Sequence, residues 1–342
     1  MIRIGLLGAG TIAKTHAQAY ATITRSKVVA VADLDIKQAS ELAASLDAEV
    51  AVDCTEIINR KDIDAVDICL PTFIHARYTV EAAQMGKHVL CEKPIATTLA
   101  DADAMIEATE RAGVILMVAQ VLRFWPQYVA LKRILDGGEI GKPLAIYAAR
   151  LGTAPTWTWN KWILDPILGG GVLLDLQIHD LDYITWLWGP PKMVNACGVK
   201  SSNGAWSHVF TTLAYEDGRI ACAEATFLVP RSFPFTMTLR VVCEDGTAVL
   251  DYRGGVNIEA RDSVQRPITV YTKDGDILYP EVSEEDAYKS EIEYFIDCVE
   301  NKQQPQVVKP CEARLSLAIV LAAMQSAAKG GGGECVLTCL NC

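Results

Sequence analysis

No stretch of the sequence is rich in lysine and arginine; 31 basic residues stand against 42 acidic ones, for a formal charge of −11. Binding to phosphate backbones or anionic lipid needs a basic footprint, so nucleic-acid and membrane partners are excluded. Long apolar runs are missing too: the longest, "LSLAIVLAAM" (Leu315–Met324), is well short of a spanning helix. The opening "MIRIGLLGAG" carries one arginine and passes straight into strand and turn, without the charged segment, apolar core and cleavage site of a signal peptide. A cytoplasmic protein is the expectation. The 11 cysteines are odd in number and scattered, and Cys69, Cys91, Cys222 and Cys243 sit in strand-like runs where a thiol acts as a small hydrophobe. No disulfide framework is implied. Repeats are lacking, and the single low-complexity segment is "GGGG" at 330–333.

What is present is an ordinary globular composition, 51% apolar and 21% charged, in 342 residues, enough for about two domains of ~100–200 residues each. From residue 2 to about 118, short apolar runs ("IRIGLL", "KVVAVA", "EVAV", "AVDICL", "KHVLC", "VILMV") alternate with amphipathic segments such as Ile36–Leu46, His75–Met85 and Leu99–Ala112. Unalternating apolar strands joined by helices predict a doubly wound parallel sheet, an α/β Rossmann arrangement. Beyond about residue 143, β-branched alternation ("GRIACAEATFLV", "FTMTLRVVC", "ITVYTK") and the pairs Asp217-Gly218, Asp245-Gly246 and Asp274-Gly275 predict hairpins of a large, mostly antiparallel open sheet. One helix enters it (Val172–Trp188) and two follow (Glu284–Asn301, Cys311–Ala328), an α+β second domain. The boundary is set at 1–122 for the nucleotide domain and 123–342 for a substrate-binding and oligomerisation domain.

"GLLGAGTIAKTH" gives Gly8-x-Gly10-x-x-Ala13 directly after the first strand, with Thr11 and Ile12 opening a helix. The first glycine makes the tight turn, the second admits a pyrophosphate, and the helix N-terminus meets the phosphates. The second strand ends at Asp33, where a carboxylate takes ribose hydroxyls and repels a 2′-phosphate. NAD is favoured; Lys37, one turn on, leaves NADP possible. In such a sheet, residues just past the strands face the cofactor. That singles out Leu70, Pro71, Thr72 and His75 after the fourth strand, Glu92 and Lys93 after the fifth, and Gln120 after the sixth. A lysine there can polarise a substrate oxygen; the plain alternative is a Glu-Lys pair at a strand end.

In "GGGVLLDLQIHDLD", Asp175 and His179 are four apart and share a helix face, with Asp182 three further on. A histidine titrating near neutrality can move a proton while a carboxylate fixes its tautomer. A purely structural His-Asp pair is the alternative. The absence of a second His or Cys cluster nearby argues against a metal.

In this order, "GLLGAGTIAKTH", "CEKP" and "GGGVLLDLQIHDLD", with a β-rich second half, resemble the Gfo/Idh/MocA oxidoreductases, the glucose-fructose oxidoreductase and inositol dehydrogenase group. The resemblance covers nearly the whole chain. It implies an N-terminal Rossmann domain, a C-terminal domain whose open sheet makes homodimers or homotetramers, and nicotinamide-dependent oxidation of a sugar or cyclitol hydroxyl. Lys93 matches the family's EKP lysine, Asp175 its helix aspartate, His179 its catalytic histidine, and Pro71 and His75 the segment lining the nicotinamide. Two other readings stay open: a redox-neutral glycosidase that uses NAD catalytically, and a cofactor sensor, against which the intact Lys93 and His179 speak.

The loop "RLGTAPTWTWNKWILDP" places Trp157, Trp159 and Trp162 where aromatic faces can meet sugar C–H faces, with Asn160, Lys161 and Asp165 for hydroxyls. Loop anchoring or an oligomer contact is the alternative. Arg123 and Trp125 of "RFWPQY" are further substrate candidates, Arg123 for a carboxylate or merely for an acidic neighbour. His16 and His88 are expected to be structural. Cys335, Cys339 and Cys342 have a C-x3-C-x2-C spacing in the wrong context for a cluster; "ECVLT" is expected to be a closing strand.

Overall fold

The computed structural model describes residues 1–254, 264–265 and 268–335. They form two compact units. Of the described residues, the first holds Met1–Phe124 and Glu285–Arg314; the second holds those of Trp125–Glu284 and of 315–335. The chain passes from the first unit to the second after Phe124, returns to the first at Glu285 and enters the second again at Leu315.

The first unit contains β1 (Ile2–Leu7), α1 (Thr11–Tyr20), β2 (Ser26–Ala32), α2 (Ile36–Leu46), β3 (Glu49–Ala51) and α3 (Cys54–Ile58). β4 (Ala65–Ile68), α4 (His75–Gln84), β5 (His88–Glu92), α5 (Leu99–Ala112) and β6 (Leu116–Ala119) follow. The six strands pair in the order β3-β2-β1-β4-β5-β6, all parallel. Strand order reverses at β1 and β4, and a crevice forms at such a switch point outside the carboxyl ends. Ile4, Leu6, Val66, Ile68, Val89 and Leu90 are all fully buried, as a sheet covered on both faces requires. The helices start where local chemistry satisfies their free N–H groups. The Asp35 carboxylate accepts from Lys37 and Gln38 at α2, and the Thr98 hydroxyl accepts from Asp101 at α5.

The second unit contains α6 (Pro126–Asp136), β7 (Pro143–Leu151), α7 (Ile178–Trp188), β8 (Met193–Lys200), β9 (Trp206–Ala214) and β10 (Ile220–Thr226). β11 (Thr236–Cys243), β12 (Gly246–Arg253), β13 (Val264–Gln265), β14 (Thr269–Thr272) and β15 (Ile277–Leu278) continue the sheet. α8 (Ala287–Asn301) then joins the first unit, where Ile292, Phe295 and Ile296 are fully buried. α9 (Pro310–Ala328) leads to β16 (Glu334–Cys335). The strand order is β15-β14-β12-β11-β7-β10-β9-β8-β16, with β13 beside β12, and among the described residues only β7 and β10 pair in parallel. α7 lies on the face made by β7 and β10. The opposite face leaves Phe210, Ile220, Val242 and Tyr271 exposed.

All three expected hairpin pairs connect neighbouring strands, and Gly218 and Gly275 have φ of 88° and 96°. Gly246 is a glycine for a different reason: a Cβ there would lie 2.7 Å from the Tyr271 carbonyl oxygen. α9 is long and apolar enough by length and composition to cross a membrane, but 61% of its most apolar window is buried inside the protein, with Leu317, Ile319, Val320 and Ala323 fully enclosed. Cys54, Cys69, Cys91, Cys197, Cys222, Cys243 and Cys298 are free thiols, whereas Cys311 is disulfide-bonded, which the scattered spacing did not signal.

Candidate active site

The first unit carries a dinucleotide cradle. Gly8 has φ of 110°, and a Cβ there would sit 2.3 Å from the Cys69 carbonyl oxygen, so only glycine lets the β1 turn pass under β4. Gly10 is the N-cap of α1, no side chain caps the helix, no acidic residue occupies its first turn, and the space over the Gly10 Cα is open. Thr11 and Ile12 therefore present first-turn N–H groups that an anion can fill. Ala13 is fully buried, as close helix–strand packing demands. Asp33 is tied into the turn: one carboxylate oxygen accepts the Ala9 N–H at 2.7 Å, the other the Asp35 N–H at 2.8 Å. Lys37 is largely exposed and 4.0 Å from Glu41. These features fit a nicotinamide dinucleotide, with the carboxylate set for ribose hydroxyls.

Past the end of β4, Leu70 and Pro71 are half-buried and Thr72 is buried, and Gln120, past β6, is buried with its amide nitrogen unbonded. Lys93 is half-buried directly after β5, and its N–H donates to its neighbour Glu92 at 2.9 Å. His75 is fully buried, with Nδ1 2.9 Å from the Pro94 carbonyl oxygen and Nε2 2.7 Å from that of Leu70. It braces the two strand-end loops, and burial holds its pKa below the usual value against the pull of those carbonyls.

His16 turns out to belong to a buried charged group. Its Nδ1 lies 2.8 Å from Asp67, and its Nε2 lies 3.2 Å from Glu92, out of line for a hydrogen bond. Burial works against its charge, but Asp67 and the Cys69 sulfur outweigh burial and raise its pKa well above the usual value. The signal was in the sequence: Ala13, His16, Ala17 and Tyr20 form the buried face of α1, and a buried histidine needs partners. Which partners was not readable.

In the second unit, the expected single helix over Val172–Trp188 is two: a π-helical segment over Leu173–Gln177 runs into α7. Such segments cost hydrogen-bond geometry and cluster at functional positions. Here the amide of Gln177 donates to the Ala223 carbonyl at 3.0 Å and accepts from the Thr211 hydroxyl at 2.7 Å, pinning the segment to the sheet. Asp175 is half-buried on the π segment and His179 is buried on α7. Asp182 is buried and accepts from Ser316 at 2.7 Å, which commits it to packing. Asp180, overlooked in the sequence, receives two bonds from the fully buried Arg150 at 3.0 and 2.9 Å.

Trp157 and Trp159 are 49% and 57% exposed, Trp162 is half-buried, and Asp165 is spent on the N–H groups of Ile167 and Leu168. Arg123, in the first unit, is buried; it donates to the Val307 carbonyl at 2.8 Å and pairs with Glu312, the acidic-neighbour alternative. His88 accepts the Ile115 N–H at 3.0 Å. Cys335 ends the two-residue β16, which pairs with β8, while Cys339 and Cys342 lie outside the described residues.

Residues 2–120 match a family described as an oxidoreductase family with an NAD-binding Rossmann fold, GFO_IDH_MocA, and residues 128–249 match the GFO/IDH/MocA C-terminal domain. Inositol 2-dehydrogenase 2 of Paenarthrobacter aurescens is 30% identical over 319 residues, 90% of each chain. The scyllo-inositol 2-dehydrogenase (NAD(+)) of Bacillus subtilis is 29% identical over 344 residues, 96% of this chain and 95% of that one. The structure of levoglucosan dehydrogenase in complex with NADH and levoglucosan is similar in fold, with a TM-score of 0.81 at 24% identity over 98% of this chain and 100% of that chain.

Proposed function

Because the chain belongs to the Gfo/Idh/MocA oxidoreductase family, we propose that it is an NAD-dependent dehydrogenase of a secondary or anomeric hydroxyl on a cyclitol, sugar or sugar derivative. The observation that carries this reading is one edge of the first sheet. An uncapped helix N-terminus at Gly10, the Asp33 carboxylate bonded to Ala9, and Lys93 all stand at its carboxyl end. The inositol dehydrogenase names of the relatives support a polyol substrate.

When bound, NAD+ supplies the acceptor for a hydride. The chain supplies the rest. The first-turn N–H groups at Thr11 and Ile12 bind the pyrophosphate and Asp33 the adenosine ribose, while Lys93 donates to the substrate oxygen and stabilises negative charge as it develops there. His179 takes the hydroxyl proton, and Asp175 orients the reacting groups. Trp157, Trp159 and Trp162 cover the ring's C–H faces. The enzyme works in the cytoplasm as a homodimer or homotetramer built through the exposed face of the second sheet.

The test is reduced-nicotinamide absorbance with NAD+ or NADP+ against inositols, aldoses, uronates and glycosides. Absorbance growth with NAD+ on a polyol supports the proposal. Cleavage of a nitrophenyl glycoside without net reduction would replace it with redox-neutral chemistry; NAD binding with neither would leave a sensor.

A further inference from the structure

We propose that His16 and His75 are positioning residues that hold Lys93 through its two chain neighbours, His16 through Glu92 and His75 through Pro94. The inference rests on the role given to Lys93 above. A lysine that must meet a developing charge needs a fixed backbone, since a misplacement of about 1 Å costs up to ~10²-fold in rate. Lys93 lies one residue past the end of β5, where the ladder to β4 no longer fixes it.

Both neighbours are tied to buried imidazoles. On one side, Glu92 uses one oxygen for the Lys93 N–H at 2.9 Å and turns the other toward His16 Nε2 at 3.2 Å. His16 is in turn held by Asp67 of β4 at 2.8 Å. On the other side, His75 stands with Nδ1 2.9 Å from the Pro94 carbonyl oxygen and Nε2 2.7 Å from that of Leu70, just past β4; the neutral ring donates to one of them and packs against the other. The neighbours of Lys93 are thereby bracketed by two buried imidazoles that lean on β4 and the residues just past it.

The groups facing His16 raise its pKa well above the usual value, against the effect of burial. Asp67 and Cys69 approach from β4 and its end, Glu92 from β5, Tyr20 from α1, and Tyr288 (ring centroids 6.0 Å apart) and Glu291 from α8. Glu291 is fully buried with neither oxygen hydrogen-bonded; burial first, then the neighbouring Glu92, raises its pKa well above the usual value. The His16 ring thus lies between the Asp67 and Glu92 side chains, 2.8 and 3.2 Å from its two nitrogens. Without the His16 ring, Glu92 would be a nearly buried side chain answered mainly by one backbone N–H, and it would move toward solvent, releasing Lys93.

His16→Asn, Glu92→Gln, their double variant and His75→Gln test this. His16→Asn can keep a bond to Asp67 but loses the charge and the reach to Glu92. We expect kcat to fall ~10-fold in each single variant with KM for NAD+ within ~2-fold, and the double variant of His16 and Glu92 to be no worse than the poorer single, because both act through one link. Multiplying losses, or unchanged kcat in folded variants, would overturn the clamp. If His16→Asn does not fold, Glu92→Gln and His75→Gln carry the test. A second readout needs no substrate: the NMR titration of 13C-methylated Lys93, assigned by Lys93→Arg, is expected to shift in each variant. A wild type that turns over no polyol would sink the dehydrogenase reading while leaving this titration to judge the clamp; identical titration curves in all variants would sink the clamp itself.

Discussion

Replacing Arg150 by methionine isolates what holds the helix that carries His179. The Arg150 and Asp180 side chains are 1% and 2% exposed, and two bonds join them at 3.0 and 2.9 Å. The Tyr128 hydroxyl is 3.4 Å from the same guanidinium. Methionine fills much of the volume but leaves the Asp180 carboxylate buried alone, a change that costs about 3–5 kcal/mol. At ~2–4 °C per kcal/mol for a domain of 150–250 residues, the melting midpoint should fall by ~6–20 °C. The pH dependence has a definite sign. Burial pushes the Asp180 carboxyl up, and in wild type Arg150 opposes that push. Without Arg150 the folded-state pKa rises further above the unfolded value near ~3.9, so the folded state binds the proton more tightly and stability is lost as pH rises. The deficit should be largest at pH 8 and shrink toward pH 5. Replacing both partners, as Arg150→Met with Asp180→Leu, should restore most of the loss, since a buried pair exchanged for apolar groups is close to neutral. Urea and thermal melts of the three variants from pH 5 to 8 decide this. A loss under about 1 kcal/mol in Arg150→Met, or a double variant no better than the single, would refute the reasoning.

Two further predictions concern the nucleotide cradle. If Asp33 takes the ribose hydroxyls as proposed, Asp33→Ser removes the negative charge beside the 2′ position while leaving an acceptor for the Ala9 N–H; the ratio of kcat/KM for NAD+ over NADP+ should fall by ~10- to 100-fold, read in parallel assays with both cofactors. Gly8→Ala forces a left-handed backbone on alanine and drives its Cβ into the Cys69 carbonyl, so it should lower stability by at least ~1–3 kcal/mol and abolish nicotinamide binding, measured by melts and fluorescence titration.

Much of the architecture was legible because it is written in local patterns. Ile36–Leu46 and Leu99–Ala112 begin and end as their periodicity predicts, and His75–Gln84 stops one residue short of the expected Met85. Asp217-Gly218 and Asp274-Gly275 announce hairpins through the positive φ of their glycines. What stayed hidden depends on contacts distant in sequence. The π segment at Leu173–Gln177 is held by Thr211 and Ala223, which no helix pattern names. The bond between His16 and Asp67 spans 51 residues, and that between Arg123 and Glu312 spans 189. α8 reads as an amphipathic helix from sequence, but its choice of the first unit is a matter of tertiary packing. The Gly8 turn, the place of Asp33 after β2 and that of Lys93 after β5 were legible because a strand–turn–helix pattern is written in consecutive residues.

The reading of Lys93 and His179 as the proton-handling pair is open to one kinetic comparison. Lys93→Met and His179→Ala are purified beside wild type, and kcat on the best polyol is measured together with the dissociation constant for NAD+. The expected result is a loss of ~10²–10⁴ in kcat in each variant with NAD+ affinity within ~2-fold of wild type, since both residues are proposed to act on the substrate oxygen and not on the dinucleotide. Near-normal turnover in either variant, with the fold intact, would contradict it.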